Sequence, residues 1–166
     1  WDAERRVPGY HITAANGVIR YYRGEPGHGF LVRETWPDGA TLYYTGGRGR
    51  EAKARATHPD GRSITFLGAR GEERRSTVTF PTGTTHTYGG PKGEERLAFT
   101  SLPNGDVLEF DGPKGVEKKV RARLASRQVH HFEGEKGSER LVRATWPGGR
   151  TATFHGAKGE ERMTLM

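Results

Sequence analysis

The chain has 166 residues, 25 of them glycine and only 32% hydrophobic, too little apolar material to stock a compact core of ordinary proportions. It has no cysteine, which excludes disulfides and thiolate metal sites, and no apolar run approaching the length of a membrane span. Lys and Arg number 27 against 20 Asp and Glu, a formal net charge of +7 that favours anionic partners, yet the charges recur singly, Glu beside Arg as in Glu95-Arg96 and Glu139-Arg140, the pattern of a solvated mixed-sign surface.

No signal peptide is visible, and nothing else in the sequence assigns a compartment. The chain begins at Trp1 rather than Met, as a fragment or a processed product does. Residues 1–14 read as a partial first repeat or an N-terminal cap, in which Glu4-Arg5-Arg6-Val7 echoes Glu139-Arg140-Leu141-Val142. Residues 15–166 then form one continuous array of about seven 22-residue units, opening at Ala15, Pro37, Pro59, Pro81, Pro103, Ala125 and Pro147. Gly90, Gly112, Gly134 and Gly156 keep the same phase. A fixed period in this range marks a repeat architecture and outranks any local reading.

Each unit holds two turn signals. The first is Pro-Asp-Gly, as at Pro59-Asp60-Gly61: proline presets φ, aspartate bonds back to the backbone, and glycine takes positive φ, which suits a type I turn closed by a glycine bulge. The second is Gly-x-Lys/Arg-Gly, as at Gly134-Glu135-Lys136-Gly137, another chain reversal. Between the turns lie short segments rich in Thr, Tyr, Phe, Val and Arg with a period of two. The alternation puts Leu42, Tyr44 and Gly46 on one face and Thr41, Tyr43 and Thr45 on the other. In the second segment of a unit it puts Val142, Ala144 and Trp146 together, opposite Leu141, Arg143 and Thr145. No segment carries a helical period.

These elements predict an all-β fold: an elongated, twisted, single-layer antiparallel sheet of tandem 22-residue β-hairpin repeats. Fourteen or so strands at ~4.8 Å give a ribbon on the order of 65 Å long. A parallel solenoid with one coil per repeat is the rival, but it would stack like charges such as Arg33 and Arg121 at close spacing, and the turn chemistry favours hairpins.

Thr145-Trp146-Pro147-Gly148-Gly149, Phe132-Glu133-Gly134 and Tyr44-Thr45-Gly46 resemble the MORN repeat, with its aromatic-x-Gly, glycine-rich turn and Thr-aromatic-Pro-Asp-Gly. The resemblance runs from about Ala15 to Met166. It implies β-hairpins stacked into an elongated, grooved sheet, and a scaffolding, protein-binding or membrane-associated role without chemistry of its own. The period of 22 in place of the family's usual 23, and Gly93-Glu94-Glu95-Arg96 where the family carries His-Gly-x-Gly, make this chain a MORN-like variant. Pro59-Asp60-Gly61-Arg62-Ser63 bears a weaker resemblance to the YD repeats of Rhs-type shells, without their Tyr-Asp.

The rings Tyr22, Tyr44, Phe66, Tyr88, Phe110, Phe132 and Phe154 recur once per unit. They form a structural seam or, on a face left open by a single layer, the floor of a binding groove. Trp36 and Trp146 precede the Pro turn on the same side and are the largest candidates for partner contact; His58, Phe80, Leu102 and Leu124 hold the same position. Arg33, Arg55, Arg121 and Arg143 form a row on the other face, with Lys53, Arg75 and Lys119 beside them and Thr77 and Phe99 interrupting. Glu51, Glu73, Glu95, Glu117, Glu139 and Glu161 are expected to pair with them across strands. His130 and His131 point to opposite faces, and the histidines converge on no metal. Repeated threonines such as Thr35, Thr57 and Thr79 make polar ladders, too interleaved with cations for ice binding.

There is no nucleophile beside a base, no phosphate loop and no isolated carboxylate pair, so the chain reads as a non-enzyme without cofactor. The leading expectation is a scaffold that binds a protein or peptide segment, acidic by preference, along the aromatic face. The alternatives are a binder of nucleic acid or anionic membrane lipid through the arginine row, and a structural segment of a longer array, with edge-to-edge self-association.

Overall fold

Short Thr-, Tyr- and Val-rich segments punctuated every few residues by Gly and Pro leave the backbone one economical way to satisfy its amides, which is to pair each segment with the next. The computed structural model of the chain describes residues 8–165, so the echo at Glu4-Arg5-Arg6-Val7 lies outside the described residues. Two compact units emerge, Trp1–Pro81 and Thr82–Met166.

The first unit contains β1 (Gly9–Thr13), β2 (Ile19–Arg23), β3 (Phe30–Thr35), β4 (Thr41–Thr45), β5 (Ala52–Thr57), β6 (Ser63–Leu67) and β7 (Arg74–Thr79). The second contains β8 (Thr85–Gly89), β9 (Arg96–Ser101), β10 (Val107–Asp111), β11 (Lys118–Arg123), β12 (Val129–Glu133), β13 (Arg140–Thr145), β14 (Thr151–His155) and β15 (Arg162–Leu165). Within each unit the strands follow chain order, each antiparallel to its neighbours, in a single layer that does not close. There is no helix among the described residues. The protein is therefore an all-β array of antiparallel hairpins, and the parallel solenoid is excluded.

The Pro-Asp-Gly turns form as the sequence predicts. The amide of Gly39 donates to the carbonyl of Trp36 at 2.9 Å, Trp36 donates to Ala40 at 2.8 Å, and Gly39 has φ +89°. Asp38 Oδ1 accepts the Ala40 amide at 2.9 Å. Each such glycine lies beneath the proline of the following turn: a Cβ on Gly39 would stand 3.3 Å from Pro59 Cγ, and one on Gly61 2.9 Å from Pro81 Cγ. Where Ala125 replaces proline, its freed amide donates to Asp106 Oδ1 at 2.8 Å. In the same turn Arg127 takes φ 66° at the position that glycine fills elsewhere.

The strict alternation expected in the second strand of each unit is broken by a β-bulge. Pairing shifts between Tyr43 and Tyr44, so that Arg55 faces Tyr43, Lys53 faces Tyr44, and Ala54 is the extra residue. The same shift recurs against Tyr21/Tyr22, Thr65/Phe66, Thr87/Tyr88, Glu109/Phe110 and His131/Phe132. Two faces are exchanged as a result. Leu141 lies opposite Phe132 on the ring face rather than beside Arg143. Val142 borders a depression with His131, Arg143 and Thr153 on the other face, away from Ala144. Ser76 behaves like Val142, its hydroxyl 2.7 Å from that of Thr65.

The bulge frees an amide, and the recurrent glutamate takes it. Glu73 accepts the Lys53 amide at 3.2 Å, Glu117 that of Leu97 at 3.1 Å, Glu139 that of Lys119 at 3.2 Å and Glu161 that of Leu141 at 3.3 Å. The second oxygen of each accepts a glycine amide in its own turn, from Gly71, Gly115, Gly137 and Gly159 at 2.8–2.9 Å. The expected cross-strand pairing with the arginine row is thus replaced by bonds to backbone; the cations nearest Glu51 and Glu117 are the turn residues Arg70 at 3.7 Å and Lys136 at 4.0 Å. Those turn cations are staples too: Arg70 donates to the carbonyl of Gly49, Lys114 to Gly93, Lys136 to Gly115 and Lys158 to Gly137, at 2.6–2.9 Å.

Candidate functional site

On the ring face the pairing register places Tyr22 opposite Leu31, Tyr44 opposite Lys53 and Phe66 opposite Arg75 in the first unit. In the second unit it places Tyr88 opposite Leu97, Phe110 opposite Lys119, Phe132 opposite Leu141 and Phe154 opposite Met163. Every ring is half-buried. Tyr10 stacks on Tyr22 at 5.0 Å and 10°, and Lys119 Nζ sits 3.8 Å above the Phe132 ring.

Beside the rings the face is floored by small side chains. Ala56 and Val78 in the first unit are each 5% exposed, and Ala122, Ala144 and Ala152 in the second are 3% or less, with Thr100 at 6%. Larger residues alternate with them: Leu42 and Ile64, then His86, Leu108 and His130. Burial first, then the charge of Lys119, pushes the His130 pKa down. Trp36 and Trp146 stand at the strand ends two residues beyond Glu34 and Ala144, so on this same side. Trp36 is 43% exposed; Trp146 is half-buried, with the Arg150 guanidinium 5.4 Å from its ring. Between the rings and the glycine turns of the first unit lies a depression of about 320 Å³ lined by Leu31, Tyr44, Glu51, Arg70 and Glu73.

One floor position departs from the pattern. Glu34, 8% exposed, accepts Arg20 Nε at 2.7 Å and the Tyr44 hydroxyl at 2.6 Å. Burial, then the bond to Glu34, pushes the Tyr44 phenol well above its ordinary value. This triad ties a ring to a charge network, and nothing in the repeat pattern announced it. The aliphatic residues Leu31, Leu97 and Leu141 were likewise missed, because their place on the ring face depends on the bulge.

The expected basic row is divided. Arg33, Arg55, Arg121 and Arg143 occupy the face opposite the rings, in register with Tyr43, Thr65, His131 and Thr153. Lys53, Arg75 and Lys119 cross to the ring face with the bulge. Glu109, 7% exposed, meets Arg121 Nε at 2.7 Å and Arg123 at 2.6 Å; burial opposes its charge, but these two arginines hold its carboxyl below the ordinary range. His131 and Arg143 approach to 3.2 Å.

No protein-family model and no curated protein matches the chain. Among solved structures it is similar to the TCP10 domain of Danio rerio CPAP, determined in complex with a peptide of Danio rerio STIL, with 16% identity over 96% of this chain and 94% of that one and a TM-score of 0.31.

Proposed function

We propose that the chain is a non-enzymatic, MORN-like recognition scaffold whose ring face binds a peptide or protein segment. The observation that carries this reading is, in each unit, an open series of half-buried rings, one per 22-residue repeat, beside a floor of small buried residues, in a single layer with no second sheet or helix over it among the described residues. In the first unit Tyr22, Tyr44 and Phe66 supply contact area; in the second, Tyr88, Phe110, Phe132 and Phe154 do. Trp36 and Trp146 supply larger anchors at the strand ends. Lys53, Arg75 and Lys119, brought among the rings by the bulge, add a preference for an acidic segment.

Selection of random displayed peptides on the 166-residue chain tests this. Peptides enriched on the wild type should lose roughly tenfold or more in affinity for Phe110→Ala, Phe132→Ala or Trp146→Ala. Enriched peptides that bind all three variants equally would count against the ring face, as would failure to enrich any.

A further inference from the structure

Among the residues of β1 to β7, Glu34 is the one carboxylate, and it lies on the ring face. The opposite face of this unit therefore carries no acidic side chain in its strands. It carries Arg23, Arg33, Arg55 and Arg74, and among the described residues no carboxylate pairs with any of them. The same face of the second unit is different. Asp111 is 3.3 Å from Arg96, Glu133 is 3.7 Å from Arg140, and Glu109 holds Arg121 and Arg123.

Two of these arginines, Arg33 and Arg55, are also held in place. His11, Tyr21, Arg33, Tyr43 and Arg55 follow one another on successive strands. The Arg33 guanidinium lies 3.9 Å from the Tyr21 ring centre and that of Arg55 5.2 Å from Tyr43, while His11 lies 5.8 Å from Tyr21. Stacking fixes the planar forks and lowers the entropy lost when they grip a ligand. Arg33 Nε is buried and meets no acceptor among the described residues. Thr35, Thr41, Thr57 and Ser63 run beside the ladder and add hydroxyl donors.

We propose that this face of the first unit binds an extended, carboxylate-rich peptide segment lying across the strands, with acidic residues at every third position seated on Arg33 and Arg55. Two strand spacings separate these arginines, about 9–10 Å, and three residues of a polyproline II segment, which bring the side chain back to the same side, span about 9 Å. A guanidinium fork matches a carboxylate in bidentate geometry. Single-stranded nucleic acid fits less well, because it needs open ring faces for its bases, and here guanidinium groups and His11 cover the rings.

Fluorescence anisotropy with the full chain tests the proposal. The probe is a labelled peptide of about a dozen residues, an extended length of roughly 40 Å, with Glu at every third position and Ser or Gly between. Its controls are the same peptide with Gln for Glu and an oligothymidylate of similar length. The Glu peptide should bind and the Gln peptide should not. Arg33→Gln and Arg55→Gln should each weaken binding roughly tenfold, and Arg143→Gln and Trp146→Ala by less than about twofold. Trp146→Ala separates this face from the ring face, so that either reading can fail alone. Arg55 is exposed, so Arg55→Gln keeps the test valid if Arg33→Gln destabilises the sheet. Oligothymidylate binding as tightly with the same arginine dependence would replace the proposal with a nucleic-acid surface. Absence of binding at low salt, or indifference to both arginines, would overturn it.

Discussion

The carboxylate of Glu117 accepts the backbone amide of Leu97, twenty residues upstream, at 3.1 Å, while its other oxygen accepts Gly115 at 2.9 Å. One side chain thus closes its own turn and satisfies the bulge of the preceding hairpin. Its side chain retains 12% exposure. Glu117→Ala leaves the Leu97 amide without that acceptor and should cost about 1–2 kcal/mol. Glu117→Gln should recover only part, because its NH₂ meets a donor. Urea denaturation of the two variants against the wild type measures the difference.

Acid should destabilise the protein in two stages. Burial comes first among the causes that lower the pKa of both His130 and His131 below 6.5, so the fold prefers them neutral and loses stability as pH falls below that value. Glu51, Glu117, Glu139 and Glu161 lie below 4.5, chiefly because their own backbone amides, and then those of the turn glycines and the preceding hairpin, bind the charged form. Their contribution is complete above 4.5 and disappears as pH drops through the lowered values. A Tm profile should be flat from about pH 7 to 8, decline gently below about 6.5, and fall steeply below about 4. His130→Gln should shrink the first stage to the part His131 carries and leave the second.

Arg127 adopts φ 66° where the other turns place glycine. A left-handed conformation costs an L-residue roughly 1–2 kcal/mol, and glycine returns about 0.5–1 kcal/mol of that in unfolded-state entropy. Arg127→Gly should therefore raise stability by about 0.5–1 kcal/mol, visible as a higher Tm.

The Tyr44 hydroxyl is 2.6 Å from Glu34. In an ultraviolet titration one tyrosine should ionise above the ordinary value of 10, and Tyr44→Phe should remove that late step. Because the folded pKa is raised, the interaction is fully present below pH 10 and lost above it. Glu34→Ala should bring the Tyr44 ionisation back toward its ordinary position.

The hairpins, the turn type and the side on which the rings lie were legible, because proline, aspartate and glycine at fixed offsets leave few conformations and period two sets the faces. The bulge was not. Nothing within Arg140-Leu141-Val142-Arg143 marks Val142 as the extra residue; the decision rests on Glu161, twenty residues beyond Leu141, which accepts the amide the bulge releases. The recurrent glutamate was visible as a signal, but its partner is backbone and so leaves no complementary residue type to find. The Arg20–Glu34–Tyr44 triad was hidden for the opposite reason: it occurs once, where a periodic reading averages over it.

The bonds from glutamate to a bulge amide and from turn cation to a glycine carbonyl reach back 20 or 21 residues and no farther. Deleting or duplicating one whole unit thus leaves each remaining donor with an equivalent acceptor, whereas one residue inserted within a strand would misalign every pair beyond it until the next turn. Unequal crossing-over between copies of the coding phrase can lengthen or shorten such a protein in steps of a single hairpin, each step carrying its own ring.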